Sequence, residues 1–218
     1  MNPVAKTHRP RILLADDHTL VAEACKKLLE PEFEVVGVVG DGRALLRANA
    51  ELKPDLIVID IGMPQLNGLD AGQQIMESTP DVRLVYLTMN TDCEIAAEAF
   101  RRGASAYLLK TSAATELVTA VKESLRGGTY ISPVIAKTTV GRFLEQHLPD
   151  AANIKLTTRQ REVLQLLAEG HLMKQVAGVL NVSTRTVAFH KYRIMSLLGL
   201  KSNAELVQYA IRNSIINR

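Results

Sequence analysis

Two hydrophobic periods alternate along the first 128 residues, and only one governs the rest. Short continuous apolar runs occur at ILLA (12–15), VVGVV (35–39), DLIVID (55–60), VRLVYLT (82–88) and AYLL (106–109). Between them lie stretches of helical period at about 19–30, 41–51, 66–78, 92–102 and 113–126. Continuous runs, unlike alternating ones, predict strands buried on both faces. Strand followed by helix, five times over, predicts an α/β fold: a doubly wound five-stranded parallel sheet with helices on both sides. Ligands of such sheets bind beyond the carboxyl ends of the strands.

Gly127-Gly128 ends the fifth helix, and Ser132-Pro133 has the form of an N-cap followed by proline at the first helical position. A helix is expected from there to about Gln146, with Pro149 stopping it, so 129–154 reads as a helical linker. From Leu156 onward the pattern is purely helical. Thr157 with Gln160 and Ser202 with Glu205 have capping-box spacing, Gly170 and Asn181 end helices, and Ser183 starts one. Four helices, with a very short connection between the second and third, predict a small all-α helix-turn-helix domain over 155–218. The first domain is placed at 9–128.

Charge divides along the same line. The chain of 218 residues carries a net charge of +3, but from residue 150 onward ten Lys and Arg face four Asp and Glu. The basic back half points to a polyanionic partner. Cys25 and Cys93 match no metal or redox spacing and read as reduced thiols of a cytoplasmic protein. The basic N-terminus leads into too short an apolar run for a signal peptide, and no stretch approaches the roughly 18 apolar residues of a membrane span.

The strand-end rule selects the chemistry. Strand one closes on Asp16-Asp17 and strand three on Asp60, which brings three carboxylates to one edge of the sheet. At an effective dielectric near 20, two such charges 4 Å apart repel by roughly 4 kcal/mol. A cation is required: Lys110, closing strand five, or a divalent metal on oxygen ligands, for which Mg²⁺ suits a site of few carboxylates. Thr88 closes strand four and offers a hydroxyl to an oxyanion. This inventory describes phosphoryl transfer to an aspartate nucleophile. The bland alternative, that each aspartate merely caps a helix, accounts for any one of them but poorly for five suitable residues on five strand ends.

ILLADDH, DLIVIDIGMPQLNG, VRLVYLT and AYLLK, in this order and spacing, resemble the flavodoxin-like receiver domain of two-component response regulators. The resemblance implies that Asp60 accepts a phosphoryl group from a sensor histidine kinase. It implies that Asp17, Asp60 and the Gly62 carbonyl ligate Mg²⁺, with Asp16 acting through water, and that Thr88 and Lys110 grip the phosphoryl group. Tyr107 matches the aromatic that swings inward as Thr88 moves. Thr111 stands where the family often has proline.

In the basic half, the helix expected over 184–198 puts Val187, Ile194 and Leu198 on a core stripe. Arg185, Ala188, Phe189, Tyr192 and Ser196 lie opposite, the face a recognition helix presents to the major groove. Arg185 is suited to a phosphate or a guanine edge, Phe189 and Tyr192 to thymine methyls or sugars, and flanking Arg193 to phosphate. Lys191 sits on the shoulder of the core stripe, and His190 beside that stripe reads as a packed residue. His18, His8, His147 and His171 belong to no constellation. LTTRQREVLQLLAEGHLMKQVAGVLNVSTRTVAFHKYRIMSLLGLKS resembles the LuxR-type helix-turn-helix, whose members act on double-stranded DNA, commonly as homodimers. Met173, Gln175 and Ala188 depart from that pattern and bear on the base contacts.

The whole is similar to the NarL/FixJ-like response regulators: a phosphorylation-dependent transcription factor rather than an enzyme. The enzyme alternative is an aspartate-nucleophile phosphatase. Such enzymes carry an acid two residues after the nucleophile, where this chain has Gly62. A DNA-binding protein with a vestigial receiver is a third reading, opposed by the intact set of strand-end residues.

Overall fold

A computed structural model describes residues 9–137 and 156–216. The elements run β1 (Arg11–Ala15), α1 (Thr19–Leu29), β2 (Glu34–Val39), α2 (Gly42–Leu52), β3 (Leu56–Asp60), α3 (Gly68–Ser78), β4 (Arg83–Thr88), α4 (Cys93–Arg101), β5 (Ala106–Leu109), α5 (Ala113–Leu125) and β6 (Tyr130–Ile131). Then come α6 (Thr158–Ala168), α7 (Met173–Val179), α8 (Thr184–Leu198) and α9 (Asn203–Arg212). Every strand and helix expected up to residue 126 is present, with ends within two residues.

The sheet is parallel throughout, in the order β2-β1-β3-β4-β5-β6. Strands β3, β4 and β5 are buried almost entirely, as their continuous apolar runs require. The side chains divide into two cores by face. One contains Leu13, Ile57, Ile59, Leu84 and Tyr86 under α2, α3 and α4; the other contains Ile12, Leu14, Val58, Val85 and Leu108 under α1 and α5.

One expectation is corrected. The sheet has six strands, because Tyr130 and Ile131 pair with Ala106 and Tyr107. Two residues leave no periodic trace in the sequence; the register of β5 places them. The segment continues into the core: Ser132 N–H donates to Tyr107 O (3.0 Å), the Ser132 hydroxyl bonds Glu116, and Ile135 is fully buried in the core that also holds Tyr107. Ser132 and Pro133 do start a helix, since Ala136 N–H donates to Ser132 O and 133–137 are helical. The expected continuation to Gln146, and most of the 129–154 linker, lie outside the described residues.

The helical half has its own core of Val163, Leu166, Val176, Val187, Ile194 and Leu206. Its helix ends follow the sequence signals. Thr157 and Gln160 form a complete capping box, and Ser183 accepts from Thr186 N–H. Gly170 (φ 92°) and Asn181 (φ 53°) take left-handed conformations at the ends of α6 and α7. The Ser202 box is only half formed. Its hydroxyl accepts from Glu205 N–H, but the Glu205 carboxylate turns to Lys201 N–H (2.8 Å). Gln175 accepts from Leu172 N–H at the start of α7, so an amide suffices there.

One glycine fixes how closely α3 approaches the end of β3. A Cβ at Gly68 would lie 2.2 Å from the Asp60 carbonyl oxygen. Gly68→Ala is therefore expected to destabilise the chain by about 1–3 kcal/mol, through forced backbone displacement. Denaturant unfolding of the two proteins measures the difference.

Candidate functional site

The carboxyl ends of β1, β3, β4 and β5 deliver the predicted residues to one pocket. Asp16, Asp60 and Thr88 are buried, and Asp17 is partly exposed. Lys110 extends from the turn after β5, and its Nζ lies 2.8 Å from Asp16 Oδ2 and 2.7 Å from Asp60 Oδ2. All three of these side chains are more than nine-tenths buried, so the ion pairs are little screened. Burial alone would favour neutral lysine. The hydrogen bonds and charges of Asp16 and Asp60 outweigh it and hold the Lys110 pKa above the ordinary lysine value. The other oxygen of Asp60 accepts from Gly62 N–H (3.1 Å).

His18 also belongs to this pocket, which corrects the expectation that it has no partners. Its Nδ1 lies 2.9 Å from Asp17 Oδ1, 3.3 Å from Asp16 Oδ1 and 3.9 Å from Asp60 Oδ2. The Asp16 side chain accepts from His18 N–H (2.8 Å) and so holds the turn that brings the ring over the carboxylates. Asp17 is raised above the ordinary aspartate pKa by burial, with the negative charges of Asp60 and Asp16 adding to it and His18 opposing. One donor atom from each of Asp16, Asp17, His18 and Asp60 falls within 4.8 Å of the others, a spacing fit for one metal ion.

Thr88 Oγ1 accepts from Asn90 N–H (3.0 Å), so its hydroxyl proton remains available. Tyr107, one strand over, is fully buried. Its hydroxyl is near Thr88 but reaches no partner in hydrogen-bond geometry, and burial raises its phenol far above the ordinary value.

In the helical half, α8 presents the expected faces. Val187 and Ile194 are fully buried, whereas Arg185 and Arg193 are exposed, as are Phe189 (60%) and Tyr192 (62%). Ala188 and Lys191 are half-buried at the margin. The Lys191 ammonium lies 5.8 Å from the Tyr192 ring centroid, which turns it toward the aromatic face and away from the core. His190 packs edge-on against Phe189, 5.6 Å between centroids. Two exposed aromatics among cations on one helix face make a surface suited to a polyanion with planar bases.

An acidic strand-end pocket on a doubly wound sheet, joined to a helix-turn-helix with an open aromatic and basic face, defines a protein that links phosphoryl chemistry to DNA binding. Comparison with known proteins agrees. The response regulator receiver domain matches residues 12–122, and the bacterial regulatory proteins of the luxR family match residues 155–210. The chain belongs to the two-component response regulators with a LuxR-type DNA-binding domain, and is a phosphorylation-dependent transcription regulator. The oxygen regulatory protein NreC of Staphylococcus carnosus (strain TM300) is 35% identical over 215 residues, covering 95% of this chain and 99% of that one. The RcsB response regulator of Salmonella typhimurium is 26% identical with a TM-score of 0.65, over 96% of this chain and all of that one. An RcsB–DNA complex is 27% identical with a TM-score of 0.56, over 92% of this chain and 97% of that one. Among the described residues, no helix is long and apolar enough to cross a membrane.

The pocket electrostatics give two stability effects of opposite sign. Asp17→Asn removes a charge whose raised pKa marks it as unfavourable to the folded state. It is expected to raise the thermal midpoint at pH 7, with the gain vanishing below the ordinary carboxylate range near pH ~4, where the charge is absent anyway. Lys110→Met leaves two buried carboxylates without their cation and should cost about 3–5 kcal/mol. Thermal and denaturant unfolding at both pH values check the pair.

Proposed function

We propose that Asp60 is the phosphoacceptor and that Mg²⁺ is held beside it by Asp17, Asp60 and the Gly62 carbonyl, with Asp16 acting through water. The observation that carries this reading is the Lys110 ammonium shared between Asp16 and Asp60 at the strand ends. The acidic donor set, all hard oxygens apart from His18, fits such an ion. When bound, Mg²⁺ supplies positive charge to the equatorial oxygens of the phosphoryl group.

The chain's own residues do the rest. An Asp60 carboxylate oxygen attacks phosphorus of a phosphohistidine on the sensor kinase. The O–P bond forms as the N–P bond breaks, and the electron pair and histidine leave together. Lys110 is already in hydrogen-bond contact with Asp60 and stays with the transferred group as its counter-charge. Thr88 donates its free hydroxyl proton to a phosphoryl oxygen. That inward pull acts on Tyr107, which is seated against it.

The output is binding of double-stranded DNA by α8, as a homodimer on a two-fold site. Arg185, Ala188, Phe189 and Tyr192 face the groove, and Arg193 and Lys191 face the phosphates. Support comes from the exposure of Phe189 and Tyr192, which a merely solvated helix does not explain.

Two measurements test this reading. Incubation with a small phosphodonor and Mg²⁺ should add about 80 Da to the intact chain, and Asp60→Asn should abolish the gain; an unchanged wild-type mass would refute the assignment. In titrations against specific and random duplexes, Arg193→Ala should weaken both alike and lower the salt slope by about one. Phe189→Ala should lose discrimination with little change in that slope. Arg185→Ala should relax one base position, at about 1–3 kcal/mol, if it reads guanine.

A further inference from the structure

A magnesium site has no need of His18. Mg²⁺ takes hard oxygen ligands and keeps several waters, so a water would serve it where the ring stands. The imidazole is nevertheless fixed there by local structure. The Asp16 side chain accepts from His18 N–H (2.8 Å), and the turn so formed lays Nδ1 against the carboxylates. Imidazole nitrogen is a ligand of first-row transition ions, and Zn²⁺ takes it readily together with carboxylate oxygen.

The spacing suits four donors around zinc. Zn²⁺ bonds nitrogen and oxygen at about 2.0–2.2 Å, and tetrahedral angles then set neighbouring donors about 3.3–3.6 Å apart. His18 Nδ1 lies 2.9 Å from Asp17 Oδ1, 3.3 Å from Asp16 Oδ1 and 3.9 Å from Asp60 Oδ2, values that straddle this separation. The His18 side chain is 58% exposed, which gives an ion its approach from solvent, while Asp16 and Asp60 wait below it, buried. Charge favours the ion too. Three carboxylates share one ammonium, and Lys110 is aligned with Asp60 Oδ2 but meets Asp16 Oδ2 chiefly by charge. That buried Asp16 oxygen keeps acceptor capacity unfilled.

We infer that Asp16, Asp17, His18 and Asp60 form an inhibitory zinc site that competes with Mg²⁺ for the pocket. This rests on the reading of Asp60 as phosphoacceptor. Asp17 and Asp60 are common to both ions, so one excludes the other. Mg²⁺ on few protein oxygens leaves positions open to a phosphoryl oxygen, whereas zinc on four protein donors leaves none. Zinc also occupies the nucleophile. Asp60 Oδ2 then carries the metal and Lys110, and Oδ1 accepts from Gly62 N–H, so neither oxygen is free to attack phosphorus. His18 decides which ion prevails, because it is the one donor that zinc uses and Mg²⁺ does not.

The test uses the full chain with Zn²⁺, and with Co²⁺ as a coloured substitute that absorbs strongly in the visible only when four-coordinate. Calorimetric titration should show one zinc equivalent that Mg²⁺ displaces competitively. His18→Ala and His18→Gln should each weaken that equivalent about ten-fold or more, a loss at least as large as removing a ligand's hydrogen-bond partner causes. The strong Co²⁺ bands of the wild type should fade in both variants. With a small phosphodonor and Mg²⁺, added zinc should halt the mass gain of the wild type. His18→Ala should need about ten-fold more zinc for the same inhibition, each protein being compared with its own zinc-free rate. Equal zinc affinity in wild type and both variants overturns the proposal and makes His18 a hydrogen-bond donor to Asp17 only. Undiminished phosphorylation at zinc saturation overturns it as well, and either result leaves Asp60 in place. No mass gain in Mg²⁺ alone overturns the Asp60 reading and the inhibition with it, while calorimetry still decides whether His18 binds the metal.

Discussion

The ammonium of Lys110 between Asp16 and Asp60 is the constraint around which the receiver half is organised. Three aspartates at one sheet edge repel one another, and burial of two of them removes the water that would screen that repulsion. The cation answering this comes from the far side of the site, at the end of β5. The ends of β1, β3 and β5 are thus tied by charge as well as by the backbone ladder. His18 adds a second nitrogen on the solvent side, beside the one aspartate that Lys110 does not touch. Carboxylates held this close need positive charge, and the buried Lys110 ammonium supplies it to two of them.

Most of the fold was legible because each element had a local cause. Continuous apolar runs gave the buried strands, and capping residues such as Thr157 and Ser183 gave helix starts to the residue. Asp16, Asp17, Asp60, Thr88 and Lys110 could be placed together because each closes a strand, and strand ends of a parallel sheet share an edge. What escaped had causes distant in sequence. Strand β6 exists because β5 offers an open edge, and two residues carry no period. His18 follows Asp17 directly, a usable signal, yet only the turn held by Asp16 brings its ring back over the pocket.

The largest omission was the contact between halves. Helix α6 carries Glu162 and Gln165 where polar side chains suggest a solvated face, and both are buried. Polar residues cover polar residues here. Glu162 is hydrogen-bonded to Gln74 and paired with Arg159, and Asp70 draws an arginine from each half. Hydrophobic periodicity cannot report such a surface, since its energy lies in specific hydrogen bonds and charge pairs instead of removed apolar area.

Strand β6 bears on how regulators of this architecture are cut and recombined. A chimera joined after α5, at Gly128, would strip Tyr130 and Ile131 from the edge of β5 and leave a void in the core where Ile135 is buried. The donor half would arrive with a stripped sheet edge at Tyr107, and its failure would be misread as incompatibility with the new output domain. A junction beyond residue 137 carries the strand, the Ser132–Glu116 bond and the buried isoleucine along with the sheet they complete. The unit that can be exchanged is longer than the five repeats from which it is built.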